Sequence, residues 1–130
     1  MRLFDEIKED EGFEGMPYED SLGIPTIGIG TKLPLSEDEA ELLARHRLSK
    51  KIDELLNAKP IINRLPLEKQ SVLFNMAYQL GTNGLLKFRK MWLALENGFD
   101  YETAADEMLD SKWFSQTPNR AKKLSDIMRG

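Results

Sequence analysis

The chain has 130 residues, 41% hydrophobic and 31% charged, with no cysteine; this suits one globular domain and excludes disulfide scaffolds, thiol nucleophiles and cysteine-built metal sites. Lysine and arginine total 18 against 22 aspartate and glutamate, a net charge of −4, so a fold-wide basic surface for nucleic acid is absent. A single histidine argues against a multi-histidine metal centre. No metal, no cofactor and no nucleic-acid partner is expected.

Leu3, Phe4 and Ile7 recur at helical spacing, and Gly12 supplies a stop, which predicts a helix over 3–11 with Glu11 in its last turn. Residues 12–30 then hold five glycines and two prolines. Asp20-Ser21-Leu22-Gly23 reads as a turn, and Thr26-Ile27-Gly28-Ile29-Gly30 as a short strand of a twisted hairpin. Ser36 with Glu39 forms a capping box that opens a long helix, about 37–57, through Ala40, Leu43, Ala44, Leu48, Ile52, Leu55 and Leu56. Further helices are expected at 67–80, with Leu73, Met76, Ala77 and Leu80 inward, and then at 85–96 and 101–110. A last helix should start at Thr117-Pro118. Trp113 is expected in the core and His46 on a solvated helix face.

The pattern describes an α+β chain: a small glycine-rich antiparallel β lobe over 13–34, a connecting helix, and a mainly helical lobe over 60–130 that also takes in helix 3–11. A boundary between two such lobes favours a cleft. Gly28-Ile29-Gly30 alone is too weak a signal for a phosphate loop, because no Gly-Lys-Ser/Thr or dinucleotide fingerprint follows.

Three stretches resemble the phage-type lysozyme family, the bacteriophage muramidases, and within it the branch typified by the T-even phage enzyme. They are Asp10-Glu11-Gly12 with Tyr18-Glu19-Asp20 and Thr26-Ile27-Gly28-Ile29-Gly30; Asn75-Met76-Ala77-Tyr78-Gln79-Leu80-Gly81; and Ser111-Lys112-Trp113-Phe114-Ser115-Gln116-Thr117-Pro118-Asn119-Arg120-Ala121. The resemblance implies a single lysozyme-like domain over 1–130 that cleaves the β-1,4 bond between N-acetylmuramic acid and N-acetylglucosamine in peptidoglycan. It implies Glu11 as general acid, Asp20 and Thr26 as the pair handling the hydrolytic water, and Arg120 as the arginine supporting the acid. It also implies sugar-binding positions at Gly30, Lys32, Tyr78, Gln79, Met91 and Glu107.

The chemistry suits these residues. Glycoside cleavage needs a proton for the departing oxygen and a carboxylate across the sugar. The negative end of a helix dipole and partial burial would both favour a protonated Glu11, and Arg120 would oppose them. Asp20, in a turn with solvent and backbone donors, should stay ionised. The family's mechanism implies inversion. Two other outcomes stay open, a lytic transglycosylase that leaves anhydro sugars and an inactive peptidoglycan-binding module.

The chain departs from the family at Thr31, where histidine is common, and at Lys32, where an apolar wall residue is usual. It is short between the hairpin and the long helix, so fewer sugar subsites are expected. It also ends at Gly130, sooner than the T-even enzyme. Met91 and Glu107 stand where relatives carry polar residues. The acidic N-terminus lacks the apolar run of a signal peptide, and no run is long enough to span a membrane. The protein is therefore expected in the host cytoplasm as a monomer, without stable membrane insertion, until a holin-type lesion releases it to the wall for host lysis.

Overall fold

The computed structural model describes residues 2–130. Its order is α1 (Arg2–Glu11), β1 (Glu14–Glu19), β2 (Pro25–Gly28), β3 (Thr31–Lys32), α2 (Glu37–Ala58), a 3-10 turn (Pro60–Arg64), α3 (Leu67–Leu80), α4 (Thr82–Leu86), α5 (Arg89–Glu96), α6 (Tyr101–Leu109), α7 (Lys112–Gln116) and α8 (Pro118–Arg129). The fold is α+β, mostly helical, with one small antiparallel sheet. Contacts divide the chain into two compact units, one ending at Leu43 and the other running from Ala44 to Gly130.

In the first unit, α1 ends at Glu11 because Gly12 takes the left-handed conformation, φ 73°, and its N–H still reaches the Lys8 carbonyl at 2.8 Å. The three strands lie in the order β1-β2-β3. Tyr18 pairs with Thr26 and Thr26 with Lys32, while the register slips between Glu14 and Tyr18. That slip is a bulge in β1. The turn from Asp20 to Gly23 closes with the Gly23 N–H on the Asp20 carbonyl at 3.0 Å, as the sequence predicts. The capping box also forms: Ser36 N–H donates to Glu39 Oε1 at 2.9 Å, and Glu39 N–H to Ser36 Oγ at 3.2 Å. Hydrogen bonding from Ser36, its backbone N–H first and its side chain next, holds the Glu39 carboxyl below its ordinary value. Of the apolar residues read along α2, only Leu55 is fully buried; Leu43 is 47% exposed.

The second unit holds the hydrophobic core. Val72, Leu73, Met76 and Ala77 of α3 are buried, giving the expected stripe, with Leu80 packed at its margin. They share the core with Leu95 of α5, Met108 of α6 and Leu124 of α8. The helix expected over 85–96 is two helices. Phe88 N–H turns back to the Leu85 carbonyl at 3.1 Å, closing α4, and the same carbonyl accepts the indole N–H of buried Trp92 at 3.0 Å. A buried indole needs an acceptor, and the break between α4 and α5 provides one. Helix α7 carries no readable signal in the sequence, because five residues are too few to show a period. Ser111 caps it, accepting from Phe114 N–H at 3.2 Å.

Two further side chains, Trp113 and Lys69, tie elements of this unit together. Trp113 is buried, and its indole donates to Gln79 Oε1 at 2.8 Å. Lys69, 4% exposed, donates to the carbonyls of Ile127 at 3.1 Å and Met128 at 2.6 Å, and its ammonium lies 4.4 Å from the Tyr101 ring centroid. Those carbonyls belong to the last turn of α8, where no helical N–H is left to meet them. His46 is exposed, as expected. Among the described residues no helix is long and apolar enough to cross a membrane.

Candidate active site

Five of the residues singled out from sequence, Glu11, Asp20, Thr26, Gly30 and Lys32, fall in the first unit. Glu11 is the last residue of α1 and is exposed, so the partial burial expected for it is not part of its setting. Its side chain lies directly against Gly30. A Cβ at Gly30 would overlap the Glu11 carboxylate, and Gly30 has φ 65°, so this position needs glycine on both counts. The residue that ends the hairpin turn thereby seats the carboxylate that ends the helix.

Asp20 follows β1 and is held on both oxygens. Oδ1 accepts from the N–H groups of Leu22 at 2.9 Å and Ile24 at 2.8 Å. Oδ2 pairs with the Lys32 ammonium. The Lys32 hydrogen bond first, and the Ile24 amide next, bring the Asp20 carboxyl from 3.8 down to about 2. Asp20 is thus ionised at neutral pH, as the turn position predicts. Lys32 is raised in turn, chiefly by Asp20, with smaller electrostatic contributions from Glu11 and Tyr18.

Thr26 sits on the central strand between Tyr18 and Lys32 and is the one buried residue of β2. Its hydroxyl donates to the Ile24 carbonyl at 2.8 Å. That commits the hydroxyl hydrogen and leaves the oxygen an acceptor.

The remaining residues lie in the second unit and at separate places. Tyr78, 42% exposed, lines a hollow of about 380 Å³ with Arg47, Lys50, Lys51 and Glu54. Gln79 is engaged with Trp113 and reaches Thr117 Oγ1 at 3.4 Å. Met91 and Glu107 border another hollow of about 380 Å³, beside Lys87, Arg89 and Lys90. Met91 is wholly buried and can offer only an apolar floor.

Arg120, early in α8, is gripped by Asn75 of α3. Its Nε donates to Asn75 Oδ1 at 3.0 Å, and Nη2 donates to the same oxygen at 2.6 Å and to the Asn75 carbonyl at 3.3 Å. Asn75 belongs to the second stretch of family resemblance, with no role implied for it. The available signal was an asparagine within an apolar helix, a residue helices disfavour unless its amide has work elsewhere. Thr117 precedes Pro118 as predicted, but its side chain caps nothing: its hydroxyl donates to the Trp113 carbonyl at 3.2 Å.

The family pattern described as phage lysozyme matches residues 8–128, nearly the whole chain, and the chain belongs to that family. Among individual relatives it is similar to the pre-baseplate central spike protein Gp5 of Enterobacteria phage T4, with 28% identity over 98% of this chain and 28% of the relative. It is also similar to the probable T4-type lysozymes 1 and 2 of Dictyostelium discoideum. The first shows 32% identity and the second 29%, each over 72% of this chain and 56% of the relative. The chain therefore spans a little over half of the two slime-mould relatives and about a quarter of the spike protein.

Proposed function

We propose that this member of the phage lysozyme family is a muramidase that hydrolyses the β-1,4 bond between N-acetylmuramic acid and N-acetylglucosamine in bacterial peptidoglycan, with inversion, after the manner of the T-even branch. The observation that carries the reading is the pair of carboxylates in the first unit. Glu11 rests on Gly30 at the end of α1, and Asp20 is kept ionised by Lys32 and two turn amides.

In this reading Glu11 gives its proton to the departing glycosidic oxygen as the carbon–oxygen bond breaks. A water attacks the anomeric carbon from the opposite face and gives up its proton to Asp20. Thr26 accepts a hydrogen bond from that water. By the family's pattern Arg120 supplies positive charge to the acid, and Gly30, Tyr78, Gln79 and Glu107 contact sugars, with Met91 buried beneath them. We further propose that the protein acts as a monomer on the wall in host lysis, waiting in the host cytoplasm for a holin-type lesion. Its net charge of −4 would give weak electrostatic steering towards an anionic wall.

Digestion of purified peptidoglycan, with the soluble fragments identified by mass spectrometry, tests this. The expected products have reducing muramic-acid ends. Glu11→Gln and Asp20→Asn should each lower their release by about 10²- to 10⁴-fold, the usual scale of acid–base catalysis. Anhydro ends that survive Asp20→Asn would replace hydrolysis with transglycosylation. Wall binding by folded wild type without release would leave a binding module.

A further inference from the structure

We propose that Lys32 is a positioning residue for Asp20, one on which turnover depends, rather than a contact for sugar. The proposal rests on the muramidase reading above. Its basis is that every constraint on the Asp20 carboxylate other than Lys32 falls on a single oxygen. Leu22 and Ile24 amides take Oδ1, and without Lys32 the Oδ2 side has no fixed donor among the described residues.

The strand pairing delivers the ammonium. Lys32 lies opposite Thr26 on β3, and Thr26 lies opposite Tyr18 on β2, so Tyr18, Thr26 and Lys32 form one row across the sheet. Residues paired directly across strands project from the same face. The lysine is thereby fixed by register next to the threonine that is read as orienting the water. The charged or titratable groups acting on Lys32 are Asp20, Glu11 at the end of α1, and Tyr18 on β1.

Three consequences follow for the reaction. The carboxylate is confined to one orientation, which proton transfer from a single placed water requires. Asp20 remains ionised although Glu11 is close enough to influence the same ammonium. Once Asp20 has taken the water's proton, the neighbouring cation favours its release to solvent, which resets the base for the next cycle. The ion pair itself should matter little to folding: the Lys32 side chain is 51% exposed, and pairs of this kind contribute little to stability.

The test compares wild type, Lys32→Met, Lys32→Arg and Asp20→Asn on soluble peptidoglycan fragments, measuring kcat, KM and the pH profile. A ¹³C titration of the Asp20 carboxyl is read alongside. With Lys32→Met, kcat should fall about tenfold or more with KM near its wild-type value, and the Asp20 midpoint should rise from about 2 towards the ordinary 3.8. The sign follows from charge: removing a cation makes the ionised carboxylate harder to keep, so the acidic limb of kcat moves up in pH. Lys32→Arg should restore part of kcat and keep the low midpoint. A raised KM with unchanged kcat in Lys32→Met would overturn the proposal and make Lys32 a sugar contact. So would unchanged kcat and KM beside an inactive Asp20→Asn. Wild type without turnover would sink the muramidase reading and this proposal together, a result told apart because Asp20→Asn then has no activity to remove.

Discussion

The two units use their residues for different ends. In the second unit a continuous apolar core runs from Leu55 to Met128, and its polar contacts mostly close helix ends or satisfy buried indoles. In the first unit Thr26 is the one buried side chain among described residues 2–43, and order comes from hydrogen bonds, a capping box, strand register and glycines with positive φ. The carboxylates read as the reacting pair are both in the second kind of architecture, the one with almost no core. Hydrogen-bonded turns specify direction, which a proton donor and a base need. Hydrophobic packing supplies stability, and the core lies in the other unit.

That division makes distinct predictions for each side. Of these, the largest effect is expected at Gly30. Gly30→Ala should cut turnover about a hundredfold, because the new methyl displaces the Glu11 carboxylate by about an ångström, a misplacement of that cost. Denaturation of the second unit, followed by near-ultraviolet circular dichroism of its tryptophans, should be unmoved. If both signals fall together, the two units are not separable and the comparison fails.

The mirror experiment is Leu73→Ala in α3. Leu73 is completely buried, and its truncation should cost about 2–5 kcal/mol in a urea titration. Turnover per folded molecule at low temperature should stay near wild type. A specific loss of kcat in the folded variant would show that the core shapes the site as well as supporting the chain.

The smallest effect sharpens the contrast. Ser36→Ala removes the acceptor for the Glu39 amide and should cost about 1 kcal/mol. Hydrogen exchange should locate the change in the first turn of α2, not in α3 or α8. A spread into α3 would mean the cap supports more than its own helix.

Much of the second unit was legible in sequence because its signals are periodic. The stripe at Leu73, Met76 and Ala77 gives α3 its correct ends, and Pro118 marks the start of α8. What escaped was the break between α4 and α5, where the Leu85 carbonyl seven residues before Trp92 takes its indole N–H, and α7, shorter than two helical turns. In the first unit the turn at Asp20 and the cap at Ser36 could be read from local residue chemistry. The partner of Asp20 could not. Lys32 is twelve positions away, and only the pairing of β2 with β3 brings it there. The grip of Asn75 on Arg120 is likewise tertiary, joining residues 45 positions apart.

Lys69 adds something beyond architecture. Its amine is spent on two backbone carbonyls and shielded by the Tyr101 ring, while Lys122 and most other lysines stand in solvent. An acylating reagent meets those at once but reaches Lys69 only when the last turn of α8 lets go. The molecule therefore carries a chemical clock in its own sequence: the lag before Lys69 reacts counts how often the end of that helix opens.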